Sequence, residues 1–232
     1  MTGTTLWCVV PAAGRGVRAG GDLPKQYQLL AGRTLIEHTL ARLAAHPRIG
    51  GLLVTLAADD RHWPGLRDVC GKPVLTAVGG AQRSESVLAG LDALPAGVGD
   101  EEFVLVHDAA RPCVRLDDIG QLIERGGRGD GGLLGAPLRD TLKHADVHGC
   151  VARTEPRESR WRAFTPQMFR RGPLTAALRD ARQRGVDVSD EAMAMELAGF
   201  SPLLVEGAED NIKVTTAADF ALAQFLLART SS

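Results

Sequence analysis

Apolar residues in this chain fall into two alternating patterns. Unbroken runs occur at Leu6–Val10, Gly51–Ala57, Pro73–Val78, Phe103–His107, Leu133–Pro137 and Pro202–Val205, bounded by Gly, Pro, Asp or Asn. Short apolar runs closed by turn residues predict buried strands. Between them, apolar positions recur at helical spacing: Leu35, Leu40 and Leu43; Val87, Leu88, Leu91 and Leu94; Ile119, Leu122 and Ile123. Further helices are predicted over 174–183 and after Ser189. Capping residues sharpen these limits. Thr34 and Glu37 form a capping box for the first helix. Ser189 caps the penultimate one, with Asp190 and Glu191 in its first turn, and Thr216 with Asp219 opens the last. Strands alternating with helices imply a doubly wound α/β fold, a mostly parallel sheet with helices on both faces.

The alternation breaks at Arg139. Asp140–Ala145 and Cys150–Thr154 flank a polar turn, Asp146–Gly149, and predict a β-hairpin. It buries little apolar area of its own, so an arm at about 138–158 is expected to lean on another subunit. The chain then returns to the sheet through Trp161–Phe164. No repeat or low-complexity linker divides the sequence, so residues 1–232 are expected to form a single domain.

Composition narrows the function classes. Apolar residues make up 44% and charged ones 24%, with a net charge of −1, which is ordinary for a soluble protein and gives no bulk attraction to nucleic acid or a membrane surface. Basic clusters must therefore be local. The four cysteines, Cys8, Cys70, Cys113 and Cys150, include no C-x-x-C pair, which argues for reduced thiols and a cytoplasmic setting. No signal peptide and no spanning segment is visible.

Those local clusters begin just after the first strand. Gly14, Gly16, Gly20 and Gly21 carry Arg15, Arg18 and Lys25 among them, with Pro24 just before the lysine. Glycines at a strand's carboxyl end let backbone N–H groups approach an anion, and cations add neutralisation. Gly14-x-Gly16-x-x-Ala19 matches the dinucleotide-binding fingerprint as a bare pattern. In that fingerprint the helix opens at the third small residue, whereas here the cap is Thr34 and Pro24 intervenes. Glu37, which has the spacing of the ribose-binding acid, belongs to the capping box. No Walker A sequence is present.

Other candidates lie at later strand ends. Asp108 and Arg111 follow the fourth strand, where a carboxylate beside a phosphate loop can steady a magnesium–triphosphate complex. Lys213, after the last strand, can face the same crevice as Lys25. His107 is expected to be structural. His144 and His148 lie on the hairpin rather than a helix face, so they read as surface residues.

In order, PAAGRGVRAGGDLPKQY, GGAQRSESVLAGL, VHDAARP, RDTLK, TPQ, SDEA and DNIKVT resemble the 2-C-methyl-D-erythritol 4-phosphate cytidylyltransferases of the non-mevalonate isoprenoid pathway, over about residues 6–225. The resemblance implies a Rossmann-like nucleotidyltransferase fold and transfer of CMP from CTP to methylerythritol phosphate with Mg²⁺, in a cytoplasmic homodimer. It also implies site roles. Ala12, Ala13, Gly14, Gly80 and Ser86 would cradle cytidine, with Ala109 near the ribose. Arg18, Lys25 and Lys213 would be the catalytic cations, and Asp108 would stand beside the metal. Arg111, Thr165 and Ser189 would hold the sugar phosphate, joined by Thr141 and Arg157 from the partner's arm. Two departures stand out: Ala81 replaces an aspartate that some members place near the base, and Ser189 replaces a threonine. The rivals are a cytidylyltransferase for ribitol phosphate or a similar polyol phosphate, a nucleotide-binding regulator without chemistry, and a nicotinamide-dependent oxidoreductase.

Overall fold

The central strand, β1 (Leu6–Pro11), has parallel neighbours on both sides, β4 (Ile49–Leu56) and β7 (Phe103–Val106). The structure is a computed structural model describing residues 5–14 and 23–230. From β1 the chain passes through two short pairing segments, β2 (Leu29–Leu30) and β3 (Arg33–Thr34), into α1 (Leu35–Ala44). After β4 come β5 (Asp68–Val69), β6 (Lys72–Val78) and α2 (Arg83–Asp92). Beyond β7 follow α3 (Leu116–Gly126), β8 (Gly132–Pro137), and the hairpin β9 (Leu142–Ala145) and β10 (Val151–Glu155). Then come β11 (Trp161–Arg170), α4 (Arg171–Gln183), α5 (Glu191–Leu197), β12 (Leu203–Glu206) and α6 (Ala217–Thr230).

The sheet has eight strands in the order β12-β8-β11-β7-β1-β4-β6-β5. From β1 the chain builds outward through β4 and β6, then crosses back to place β7 on β1's other side. The order therefore reverses at β1, and open α/β sheets form a ligand crevice beyond the carboxyl ends of strands at such a point. The antiparallel exceptions are β11, wedged between β7 and β8, and the short β5 on β6. Pairing of β11 with β8 slips between Ala163 and Gln167, around Pro166, which has no N–H to give a ladder.

Strand pleating explains the two-sided core. Cys8, Val10, Leu52, Val54, Leu105 and Leu134 face one hydrophobic cluster, together with Ile36, Leu40, Leu43, Ile119 and Leu122 from α1 and α3. Their alternates Val9, Leu53, Val104, Val106 and Leu133 face the other, with Val87, Leu91, Leu174, Leu178 and Met195 from α2, α4 and α5. Gly90 lets α2 pack close, since a Cβ there would lie 2.5 Å from Val9.

The Thr34–Glu37 capping box forms as expected: the Glu37 carboxylate accepts the Thr34 N–H at 2.7 Å, and Thr34 Oγ1 accepts the Glu37 N–H at 3.4 Å. The α5 cap differs by one residue. Asp190, not Ser189, accepts the Met193 N–H, at 2.9 Å, and Ser189 lies exposed just before it. A carboxylate three residues before that N–H adds charge to the capping bond, and so prevails over the neighbouring hydroxyl. Strands β9 and β10 pair only with each other, forming the expected arm. Among the described residues, no helix is long and apolar enough to cross a membrane.

Candidate active site

Five segments meet at the carboxyl ends of β1, β6 and β7. Pro11–Gly14 leaves β1, and Lys25 and Gln26 belong to a 3-10 turn, Lys25–Tyr27. Gly80–Arg83 and Ser86 begin α2, Asp108–Ala110 follows β7, and Lys213 follows β12. Together they line one cleft. Of the residues singled out in the sequence, Ala12, Ala13, Gly14, Lys25, Gly80, Ser86, Asp108, Ala109 and Lys213 are thus brought together.

Two glycines shape one side of the cleft. A Cβ on Gly79 would come 2.6 Å from that of Ala13, and one on Gly80 would meet the Glu85 Cβ at 2.3 Å. Glu85 then organises the turn, its carboxylate accepting the N–H groups of Ala81 at 2.9 Å and Gln82 at 3.3 Å. Ser86 Oγ receives the Gly80 N–H at 3.2 Å. Ala81 lines the cleft, but its methyl offers no hydrogen bond and its N–H is already taken.

The other side is built around one carboxylate. Asp108 Oδ1 accepts from Arg83 Nε at 2.9 Å, while Oδ2 accepts from Lys213 Nζ at 2.9 Å and Arg111 Nε at 3.4 Å. Burial alone would raise the Asp108 pKa, but Arg83, Lys213 and Arg111 hold it far below the usual carboxylate range. Arg83 also makes a two-point contact with Glu191, at 2.6 and 3.1 Å. That carboxylate is only 1% exposed, and the two-point contact with Arg83 compensates its burial. Lys25 Nζ donates to the Val214 carbonyl at 3.2 Å, which brings it beside Lys213.

A buried polar network holds this charge cluster from below. The Asp108 N–H donates to Thr165 Oγ1 at 3.0 Å, and that hydroxyl lies 3.1 Å from His107 Nδ1. His107 Nε2 faces the Arg111 carbonyl at 3.0 Å, which requires a proton on Nε2 and leaves Nδ1 to accept from Thr165. Burial keeps His107 neutral, its pKa pressed down to about 4 against the opposing influence of the Arg111 carbonyl and Asp108. The Arg111 guanidinium donates to the Asn211 carbonyl at 2.6 Å, and the Asn211 amide to the Thr165 carbonyl at 2.8 Å. Arg111 and Thr165 are therefore buried beneath Asp108.

The remaining expected residues lie elsewhere. Ser189 is exposed outside the cleft lining. Thr141 and Arg157 belong to the arm region, both exposed, with Arg157 donating to the Arg139 carbonyl. Arg18, like Arg15, Gly16, Gly20 and Gly21, falls outside the described residues. Three cleft-region residues carried no role in the sequence reading. Arg83 and Glu191 pair across 108 positions, beyond the reach of any local pattern. Gln26 appears there only as the residue after Lys25.

For a metal, among the described residues Asp108 is the one carboxylate in the cleft lining, and no group of three His, Cys, Asp or Glu side chains gathers there. That donor set does not make an all-protein cage. It suits Mg²⁺, which binds through one or two carboxylates plus substrate phosphates and retained water.

A sequence profile of the 2-C-methyl-D-erythritol 4-phosphate cytidylyltransferase family matches residues 6–229. A relative of that name from Xanthomonas campestris pv. campestris (strain 8004) is 59% identical over 230 residues, covering 98% of this chain and 86% of the relative. Another, from Stenotrophomonas maltophilia (strain K279a), is 57% identical over 226 residues and 97% of each chain. A crystal structure titled 4-diphosphocytidyl-2C-methyl-D-erythritol synthase superimposes with a TM-score of 0.83 at 31% identity, over 97% of this chain and 99% of that one. The Francisella tularensis 2-C-methyl-D-erythritol 4-phosphate cytidylyltransferase gives 0.82 at 30% identity, over 96% and 100%.

Proposed function

The chain belongs to the 2-C-methyl-D-erythritol 4-phosphate cytidylyltransferase family, and from that premise we propose how its cleft carries out the reaction. It is a nucleotidyltransferase of isoprenoid precursor biosynthesis. CMP passes from CTP to 2-C-methyl-D-erythritol 4-phosphate, giving 4-diphosphocytidyl-2-C-methyl-D-erythritol and pyrophosphate. The observation that best supports the residue roles is the meeting of the Ala12–Gly14 backbone, the Gly80–Ser86 turn, Lys25, Asp108 and Lys213 in one cleft.

A phosphate oxygen of the sugar substrate forms a bond to the α-phosphorus of CTP. The bond from that phosphorus to the bridging oxygen breaks, and pyrophosphate leaves with the electron pair. The nucleophile is already anionic, so no side chain need remove a proton. The obstacle is repulsion between two anions, and this is where the chain's cations act. Ala12, Ala13, Gly14, Gly80, Ser86 and Ala109 hold the nucleoside. Lys25 and Lys213, with Arg18 from the glycine loop, neutralise the triphosphate and the charge on the oxygens in flight. At about 4 Å and an effective dielectric near 20, each such contact is worth roughly 4 kcal/mol before desolvation.

Asp108 would hold Mg²⁺, and Lys213, which pairs with that carboxylate, would be released to a phosphate of the nucleotide. The metal supplies charge neutralisation and alignment of the phosphates. Arg111, Thr165 and Ser189 serve the sugar-phosphate side, and Thr141 and Arg157 reach the partner's site in a cytoplasmic homodimer. The arm's self-paired strands support that assembly, with Val147 and Val151 both exposed.

Pyrophosphate release with CTP and Mg²⁺ against a panel of polyol phosphates tests the activity. Release is expected with methylerythritol phosphate; release with ribitol phosphate alone would overturn the substrate assignment. Sedimentation should give a dimer, and a monomer at all concentrations would remove the arm's role.

A further inference from the structure

The turn bearing Lys25 is tied down at each of its three residues. Lys25 reaches the Val214 carbonyl, as described above. Tyr27, 3% exposed, donates its hydroxyl to Asp60 at 2.6 Å, and Asp60 is itself held by the N–H groups of His62 and Trp63 at 2.8 and 3.1 Å. Between them Gln26, 5% exposed, donates both of its amide hydrogens: one to the Ala12 carbonyl at 2.9 Å and one to the Gly14 carbonyl at 3.1 Å. Two carbonyls demand two donors, so the orientation of the amide is fixed by its surroundings.

Ala12 and Gly14 are the backbone that lines the nucleotide side of the cleft, and Lys25 is the cation next in sequence to Gln26. One side chain therefore sets the distance between the surface that receives the nucleoside and the charge that meets its phosphates. With both carbonyls turned onto Gln26, neither points its negative end into a cleft meant for an anion. Among the uncharged side chains that could reach both carbonyls, only Asn and Gln present two hydrogens on one atom.

We propose that Gln26 is a positioning residue for the transfer reaction, holding Lys25 in register with the Ala12–Gly14 backbone. This rests on the cytidylyltransferase reading above. The two are separable, because a wild-type protein that releases no pyrophosphate would remove that reading while the clamp could still be read by hydrogen exchange at residues 12–14 of Gln26→Met.

The test uses two variants of the full chain. Gln26→Met keeps the length of the side chain and removes both donors. It is expected to fold, with kcat/KM for CTP lowered roughly tenfold or more, as leaving buried acceptors unsatisfied implies. Gln26→Glu places an ionised carboxylate against two carbonyl oxygens at neutral pH, but once protonated it regains one donor. The ratio of its kcat/KM to that of the wild type should therefore rise as pH falls from about 8 to about 6, because burial among acceptors raises the substituted carboxyl's pKa. Lys25, Arg83, Asp108 and Lys213 line the same cleft and are present in both proteins. A merely structural role would lower stability without this inversion. A folded Gln26→Met with wild-type kcat/KM, or a flat or falling ratio for Gln26→Glu, would overturn the assignment. Failure of both variants to fold would also overturn it, since the clamp would then serve stability alone.

Discussion

Acidification should unfold this protein through His107 before it disturbs the carboxylate above it. The imidazole is fully buried, and its proton-free Nδ1 is committed to Thr165. Its pKa falls from an ordinary 6.5 to about 4 in the folded protein. The unfolded chain therefore takes up a proton at a higher pH than the native state, so stability is lost as pH falls from about 6.5 to about 4. A depression of about two and a half units, at about 1.4 kcal/mol each, corresponds to a loss of roughly 3 kcal/mol across that window. Asp108, with its lowered pKa, acts in the same direction but only at a lower pH. Urea unfolding at a series of pH values would measure this, with His107→Gln as the comparison. The amide can keep the bond to the Arg111 carbonyl, loses the one to Thr165, and does not titrate. The variant should be less stable near pH 8 by about 1 kcal/mol, and the two curves should meet and cross as pH falls, because only the wild type loses about 3 kcal/mol over the window. Other titrating groups are common to both proteins and cancel in the difference. Parallel curves between about pH 6.5 and pH 4 would refute the reasoning.

Three further outcomes are expected. Lys25→Ala and Lys213→Ala should lower kcat more than they raise KM, as contacts that strengthen in the transition state require; normal turnover with only a raised KM, in steady-state and single-turnover assays, would contradict this. Glu191→Gln removes one of the two carboxylates that pair with Arg83, leaving Asp108, and should cost about 2 kcal/mol, read as a lowered Tm; an unchanged Tm would show that the pair adds nothing. Arg157→Ala should raise KM for the sugar phosphate while leaving that for CTP nearly constant, and a change confined to CTP would remove the arm from the sugar-phosphate site.

Much of the fold was legible because period and caps are local. Buried strands, amphipathic helices and the Thr34 and Thr216 caps can each be read within a few residues, and they stand where their patterns put them. The α5 cap shifted from Ser189 to Asp190 because both side chains can cap and the charged acceptor makes the stronger bond. The antiparallel direction of β11 had no local mark, since its neighbours β7 and β8 are paired through tertiary contacts rather than a tight turn. The cleft divided in the same way. Asp108, Lys25 and Lys213 could be found because each follows a strand. Arg83, Glu191 and Gln26 could not, because their roles lie in partners that sequence spacing does not bring together. His107 was expected to be structural, and it is, but through a hydroxyl that also supports Asp108.

The carboxylate inside the cation cluster has a consequence for what the cleft admits. Lys25, Arg83, Arg111 and Lys213 would otherwise attract whatever small ion the surrounding solution holds in excess. Asp108 is the resident competitor: chloride or a single phosphate must displace a tethered carboxylate from Arg83 and Lys213, with little to offer in return. A triphosphate accompanied by a divalent ion brings enough charge of both signs to satisfy the lysines and the carboxylate at once. The protein's own acid thus sets a threshold of valence, and small anions are expected to compete weakly for these cations before any base or sugar is examined.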